Sequence, residues 1–238
     1  MTKIHRFIGE FEMAEQFIKI TDQNLINQIH NVLKLKLGEQ IILGQGNGID
    51  ILASIKVLGR EEIVLEKIEE IKNSSESNIN IVLYQSIVKK ENFELIAQKV
   101  CELGVFKIIP IISERTIKTS LNLERISVIL KEASEQSGRG IIPKCEGIVS
   151  YKEGLGLAQG NDLNILFDPE AKEGLKNFTI PKKIKSIGIF IGPEGGFSEV
   201  EVLEAKKNKI SILNLGKLTL RAETASIVSV SLINFLIH

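Results

Sequence analysis

The chain has 238 residues, of which 43% are hydrophobic, and its 30 basic residues balance 30 acidic ones. This size suits one large domain or two smaller ones with a core that needs no metal or disulfide, while the zero net charge offers no general attraction for nucleic acid. The N-terminal residues are charged and no stretch reaches the roughly 20 apolar residues that span a bilayer, so we predict a cytoplasmic protein without membrane contact.

The first seventy or so residues carry the pattern of short strands joined by turns. Residues 40–43 and 49–57 are predicted strands, and the glycines and Asn47 between them suit a tight turn. Residues 22–35 have apolar positions at helical spacing. We predict a small β-barrel or sheet with one helix over residues 1–72, followed by a polar linker at 73–78.

From residue 79 onward, strands alternate with helices. Residues 163–167 and 187–191 are short and wholly apolar, which is typical of parallel strands covered on both faces. Residues 92–103 place their apolar side chains on one helical face, and Gly104 suits the end of that helix. Residues 79–238 are therefore predicted to form an α/β domain with a parallel sheet. Further elements are expected at 79–84, 105–111, 122–137 and 210–213.

A glycine-rich segment, Gly192–Gly196, follows one of these buried strands and precedes a helix. Ser198 and Glu201 form a capping box, which predicts that the helix begins near Glu199. Glycines at the carboxyl edge of such a sheet let backbone amides approach a small ligand. The spacing matches neither a P-loop nor a dinucleotide fingerprint, and a plain strand-to-helix turn is the alternative.

A second segment, Asn214–Ala225, joins a short strand to the last helix. That helix is apolar on several sides, so we expect it to be buried against the rest of the chain or against another subunit.

Several motifs spread over nearly the whole chain belong together. They are His5–Phe7, Glu102–Val105, Glu114–Thr116, Glu135–Arg139, Gly192–Gly196 and Leu215–Ala225. On these residues the sequence resembles the SPOUT class of knotted methyltransferases, and within it the RsmE-like family that methylates N3 of a uridine in 16S ribosomal RNA. The last two motifs together carry most of the specificity.

The resemblance implies a fold and partners that periodicity does not reveal. It implies a PUA-like, RNA-binding β-barrel at 1–72 and a SPOUT domain at 79–238 whose C-terminal chain is threaded into a trefoil knot. It also implies a homodimer, and as substrate 16S rRNA within the assembled small ribosomal subunit, with uridine 1498 of the decoding region as the family target.

The cofactor implied by the resemblance is S-adenosyl-L-methionine, enclosed by apolar residues and backbone groups of three loops. Adenine is neutral and flat, so it is bound by apolar surfaces that exclude water and by a few hydrogen bonds to backbone amides. It does not need a group of basic side chains. The implied cofactor-binding residues are Phe167, Asp168, Glu170, Ile191, Gly192, Pro193, Glu194, Gly195, Gly196, Leu215, Gly216, Leu218, Leu220, Arg221, Thr224 and Ala225.

Methylation of the acceptor uridine needs a base or a cation in the site. Uridine N3 carries a proton, and it is a poor nucleophile until that proton is removed. Arg139 is the first candidate for orienting the base, offered from the partner subunit. Glu194 and Glu223 are candidate catalytic bases, and Glu223 serves equally well as a cap of the last helix. Candidate RNA contacts are Arg6, Lys89, Lys90, Arg115, Gln136 and Arg139.

Metal chemistry is not expected, since no His, Cys and carboxylate cluster has ligand spacing. Cys101 and Cys145 are far apart, without a Cys-x-x-Cys spacing, and are predicted to be reduced, structural thiols. Two alternatives stay open at this point. One is a SPOUT ribose 2′-O-methyltransferase of transfer or ribosomal RNA, and the other is a non-catalytic RNA-binding module.

Overall fold

The computed structural model describes residues 4–237 and divides the chain into two compact units. The first unit comprises the residues up to Glu76 together with Ser134–Ile142, and the second comprises Ser77–Ala133 and the residues from Pro143 onward. The first unit thus draws on two stretches of the chain, whereas the sequence pattern predicted one. Within the described residues, no helix is long and apolar enough to cross a membrane.

The first unit is built on a five-stranded sheet with the order β1-β3-β4-β5-β2. β1 and β3 are parallel and the other pairs are antiparallel. The strands are β1 His5–Ile8, β2 Phe17–Ile20, β3 Gln40–Gly44, β4 Ile49–Leu58 and β5 Ile63–Lys72. The inward-facing residues form one apolar cluster in which Ile18, Ile41 and Leu65 are fully buried. The two strands predicted on either side of the glycine turn are confirmed.

The predicted helix of this unit begins where expected and ends earlier. Asp22 caps α1, Gln23–Asn27, by accepting a hydrogen bond of 2.8 Å from the Asn24 amide. The chain continues as a π-helical segment, Gln28–Val32. Ile26 and Ile29 are buried in the core, and the positive φ of 54° at Lys34 ends the helical stretch before residue 35.

The second unit contains a seven-stranded sheet in which all pairs are parallel, as predicted. The main order is β12-β10-β11-β6-β7-β8, and β9 pairs with β7. The strands are β6 Asn80–Ser86, β7 Lys107–Ile112, β8 Lys144–Cys145, β9 Val149–Ser150, β10 Leu163–Phe167, β11 Ser186–Ile191 and β12 Ser211–Leu213. The helices are α2 Lys90–Glu102, α4 Tyr151–Ala158, α5 Glu199–Lys207 and α6 Ala222–Ile237, with a short 3-10 helix at Leu175–Asn177. A further helix, α3 Leu123–Ser137, begins in this unit, and its residues from Ser134 on belong to the first unit.

An aromatic group lies at the centre of the second unit. Phe190 of β11 stacks on Tyr84 of β6 with ring centroids 4.2 Å apart and an interplanar angle of 3°. Tyr151 of α4 meets Phe190 edge-on at 6.3 Å. All three are almost fully buried, so this packing fixes α4 and the two central strands.

The strand register aligns the carboxyl ends of the sheet. Leu213, Phe167, Ile191 and Gln85 pair one to the next across β12, β10, β11 and β6. The loops that leave this row therefore start side by side. The order changes direction between β11 and β6, and open α/β sheets bind ligands at such a position.

Candidate active site

A cleft opens at this carboxyl edge, between the loops after β10 and β12 and the start of α6. It holds about 330 Å³ of space that no atom fills, including the open mouth. Its walls are mainly apolar, and they are formed by Phe167, Asp168, Pro169, Leu215, Gly216, Leu218, Leu220 and Ala225. Seven of these eight residues, all but Pro169, belong to the predicted cofactor set.

The side chain of Asn214 holds the two loops of the cleft together. Its Nδ2 donates to the carbonyl oxygen of Ala171 at 2.8 Å, and its Oδ1 accepts from the Gly216 amide at 3.1 Å. Its own amide donates to the carbonyl of Glu173 at 2.8 Å, and its carbonyl accepts from the Leu175 amide at 3.1 Å. One residue thus braces the loop after β10 against the loop after β12.

The charges in the lining of the cleft favour some classes of ligand over others. Asp168 is the charged residue in its lining, and no lysine or arginine is among the lining residues. A phosphate-bearing ligand would meet a carboxylate with no cation beside it, which is unfavourable. A neutral ring with hydroxyl or ammonium groups suits apolar walls with one carboxylate.

The glycine loop lies next to the cleft, after β11. The Gly196 amide donates to the carbonyl of Pro193 at 2.9 Å, and Gly196 has φ 67°. A Cβ placed on Gly192 would lie 3.1 Å from the backbone of Gly196, so the loop closes tightly over this glycine. None of the residues of Gly192–Gly196 is in the lining of the cleft.

The helix after this loop starts as predicted. α5 begins at Glu199, with the capping box between Ser198 and Glu201 in place. Glu201 has a further role that the sequence did not reveal. Its Oε1 accepts from the Glu114 amide at 2.8 Å, and the residue is only 6% exposed. Because this carboxylate joins α5 to the loop after β7, it fixes that loop beside the glycine loop.

Two predicted RNA contacts adjoin the glycine loop. Arg115 donates from Nη1 to the carbonyl of Gly195 at 2.7 Å, and the amide of Lys89 donates to Oε1 of Glu194 at 3.3 Å. Arg115, Lys89 and Glu194 are all exposed. The fold therefore gathers two exposed cations and a carboxylate at the sheet edge near the switch in strand order.

Two other predicted contacts, both in the first unit, have buried guanidinium groups. Arg6 forms a bidentate salt bridge with Asp50, and the arginine side chain is 7% exposed. Arg139 binds Glu76 through Nη2 at 2.6 Å, and its side chain is 6% exposed. Contact of either arginine with RNA stays a prediction, and the structure adds that each already has a carboxylate partner.

Several further predicted residues are not in the lining of the cleft. Glu170, Arg221 and Thr224 are exposed, and Glu223 is half-buried in the first turn of α6. Gln136 is exposed near the end of α3. Across residues 4–237, no group of three or more His, Cys, Asp or Glu side chains is placed to hold a metal ion.

The sequence analysis did not predict two pairs of buried polar side chains near the sheet edge. Ser226 donates to Oε1 of Gln85 at 2.5 Å, and the Ser86 and Ser113 hydroxyls lie 3.0 Å apart. The available signal was that Gln85 and Ser86 end an otherwise apolar strand and Ser113 directly follows another. Polar residues at such positions are candidates for roles at the site.

Comparison with known proteins shows the family to which the chain belongs. A family profile described as an RNA methyltransferase domain matches residues 75–234. The ribosomal RNA small subunit methyltransferase E of Rickettsia conorii is 30% identical over 98% of this chain and 96% of its own length. The protein of the same name from Mesomycoplasma hyopneumoniae is 37% identical over 68% of this chain and 72% of its own.

A solved structure agrees with these matches along the whole chain. The crystal structure of a ribosomal RNA small subunit methyltransferase E from Neisseria gonorrhoeae, bound to S-adenosyl methionine, is 31% identical. It covers 98% of both chains with a TM-score of 0.88. Fold, site and profile thus define an RNA methyltransferase. The chain belongs to the family of the ribosomal RNA small subunit methyltransferase E.

Proposed function

We propose that this protein transfers the methyl group of S-adenosylmethionine to N3 of a uridine in 16S ribosomal RNA. The observation that carries the proposal is the cleft at the carboxyl edge, whose walls contain seven of the residues expected to bind the cofactor. The Neisseria relative, described as bound to S-adenosyl methionine, supports the same cofactor here. The family target is uridine 1498.

The residues of the cleft fit the cofactor. Phe167, Leu218 and Leu220 offer apolar contact for adenine, and Asp168 offers a carboxylate for ribose hydroxyls or an ammonium group. When bound, S-adenosylmethionine supplies a methyl group on a positively charged sulfur. The remaining predicted residues, Glu170, Ile191, Gly192 to Gly196, Arg221 and Thr224, are proposed to complete the site from the adjoining loops.

The chain must also orient the acceptor base and remove its proton. Holding the acceptor in line with the methyl group accounts for a large part of such catalysis. Glu194 and Glu223 are the proposed bases, and the exposure of Glu194 beside Lys89 supports its access to substrate. The role proposed for Arg139, orienting the uracil, requires it to exchange Glu76 for RNA.

RNA binding is proposed to use exposed side chains that hold phosphates. Lys89, Lys90, Arg115 and Gln136 are exposed and suit this role. Arg6 could take part only by leaving Asp50. The zero net charge favours a structured target, the assembled small subunit, over naked RNA.

The finer features of the architecture are part of the proposal. Residues 1–72 are proposed to form a PUA-like RNA-binding barrel, 73–78 a linker, and 79–238 a SPOUT domain with a trefoil knot in a cytoplasmic enzyme. The brace at Asn214, where the chain before α6 lies against the loop 171–175, supports the knot. Exposed apolar side chains on α6 support a homodimer, and these are Leu232, Phe235 and Leu236.

Nucleoside mass spectrometry tests the reaction. Small subunits from cells lacking this protein, incubated with the enzyme and methyl-labelled cofactor, should gain label in 3-methyluridine. Label on ribose would overturn the N3 assignment in favour of 2′-O-methylation. Failure of the protein to bind the cofactor in calorimetry at millimolar concentration would favour a non-catalytic RNA-binding module.

A further inference from the structure

We propose that the buried hydrogen bond between Ser226 and Gln85 positions one wall of the cofactor cleft. The Ser226 hydroxyl donates to Oε1 of Gln85 at 2.5 Å, and both residues are fully buried. The two are positioning residues, since neither lines the cleft. The inference rests on the proposed function, because its ligand is S-adenosylmethionine.

The bond joins two elements that carry the site. Gln85 lies in β6 directly opposite Ile191, the residue that precedes the glycine loop. Ser226 follows Ala225, which lines the cleft from the beginning of α6. The bond thus connects the centre of the sheet to the helix that ends the loop Leu215–Arg221.

The Gln85 amide is held in the orientation that the bond requires. Its Nε2 donates to the carbonyl of Ser86 at 3.0 Å, which turns its oxygen toward Ser226. The hydroxyl of Ser226 also lies 2.8 Å from the carbonyl of Ala222, so its one proton is shared between two acceptors. A buried polar pair is costly unless satisfied, and here each donor has an acceptor.

The hydrogen bond fixes the position of the start of α6 more closely than apolar packing does. Apart from its first turn, α6 carries three serines and one asparagine among apolar residues, and apolar contacts such as those of Val230 and Ile233 tolerate small shifts and rotations of the helix. Asn234 anchors the far end of α6 by donating to the carbonyl of Leu103 at 3.1 Å, which leaves the helix start to the bond of Ser226. The hydrogen bond between Ser226 and Gln85 depends more strongly on distance and direction. The helix start, and with it Leu220 and Ala225 of the cleft, is therefore held at one position.

Ser229 provides the matched control. It is equally buried on the same helix, but its hydroxyl donates to the carbonyl of Ser226 at 3.0 Å and so stays within α6. Ser226→Ala should raise the Kd of the full-length protein for S-adenosylmethionine roughly five- to tenfold, because binding must then order the helix start that the hydrogen bond already holds in the wild type. Ser229→Ala should leave this Kd within about twofold.

Calorimetry gives the Kd values, and thermal melting of each variant separates positioning from loss of stability. The double variant Gln85→Leu/Ser226→Ala replaces both partners by apolar groups, so it keeps the test available if the single variant does not fold. Its Kd should match that of Ser226→Ala, since both lack the same bond. Equal effects of Ser226→Ala and Ser229→Ala, or wild-type affinity in Ser226→Ala, would overturn the positioning role alone. Absence of cofactor binding by the wild type would overturn the proposed function and this inference with it.

Discussion

Arg115 donates a hydrogen bond of 2.7 Å to the carbonyl oxygen of Gly195, a residue 80 positions further along the chain. The bond links the loop after β7 to the glycine loop after β11, across the end of β6. A Cβ on Gly195 would lie 3.4 Å from the Cβ and Cδ of Arg115, so the arginine stem also packs against this glycine. The charge proposed to hold RNA is therefore fixed to a loop proposed to hold the cofactor.

Replacement of Arg115 tests this link. Arg115→Ala should lower kcat/KM for the ribosomal substrate about tenfold or more, because a charge-assisted contact and an anchored loop are both lost. The Kd for S-adenosylmethionine should rise by a smaller factor, about two- to fivefold, because the glycine loop loses its anchor. Arg115→Lys keeps the charge without the planar fork and should recover only part of the activity.

Arg125 supplies the control for a general effect of charge. It is exposed on α3 and pairs at 3.6 Å with Glu94, which also pairs with Lys90. Steady-state kinetics of Arg125→Ala should resemble those of the wild type. An equal loss in both alanine variants would mean that overall charge, rather than the contact with Gly195, drives RNA binding.

The backbone of Gly196 gives a prediction about stability. Its φ of 67° is unfavourable for other residues, and a Cβ there would meet nothing within 4 Å. Gly196→Ala should therefore cost about 1–2 kcal/mol of unfolding free energy through strain alone, and Gly196→Asn less, because asparagine tolerates this conformation. Urea unfolding measures both.

Gly156 is the matched glycine in the second unit. It lies within α4 and a Cβ there also has open space, but its φ is not positive. Gly156→Ala should raise the unfolding free energy by about 0.5–1 kcal/mol, since alanine restricts the unfolded chain. If Gly196→Ala were as stable as the wild type, the loop would not need its positive φ.

Asn214 gives a prediction about the cleft. Asn214→Ala removes the side-chain bonds to Ala171 and Gly216, so stability should fall by about 2 kcal/mol and the Kd for S-adenosylmethionine should rise roughly tenfold. Denaturant unfolding and calorimetry measure the two effects. Asn177 is exposed in the same region, and Asn177→Ala serves as the control. An unchanged Kd in Asn214→Ala would show that the loops keep their place without the brace.

The sequence predicts the elements of this fold better than their long-range partners. The strands 163–167 and 187–191 and the start of α5 at Glu199 agree with the structure, because an apolar run or a capping box is a local signal. α2 begins at Lys90, two residues before its predicted start, since exposed residues in a first turn leave no apolar pattern.

Local sequence patterns do not predict which buried polar residues will pair with one another. Arg6 and Asp50 are 44 positions apart, and Gln85 and Ser226 are 141 positions apart. Which carboxylate meets an arginine depends on strand order and register, and periodicity specifies neither. Arg6 and Arg139 were accordingly predicted from residue type as RNA contacts, and their pairing with Asp50 and Glu76 could be seen only in the structure.

The two tyrosines of the chain, Tyr84 and Tyr151, give a prediction about pH. Burial raises the pKa of Tyr84, and the hydrogen bond from Asn161 offsets this in part. Burial raises the pKa of Tyr151 strongly, with a further contribution from the carboxylates of Glu201 and Glu204. In the folded protein both phenols therefore stay neutral above pH 10, where an unfolded tyrosine ionises.

The sign of the effect on stability follows from proton binding. Above pH 10 the folded chain keeps protons that the unfolded chain releases, so the stabilisation is complete below about pH 10 and is lost as pH rises toward the raised pKa values. Near-ultraviolet absorbance should therefore show tyrosinate only together with cooperative unfolding followed by circular dichroism. Tyr84→Phe, which retains the ring stacked on Phe190, should halve the absorbance change and leave this coincidence intact. A gradual rise of tyrosinate absorbance near pH 10 in protein that is still folded would contradict the burial of these hydroxyls.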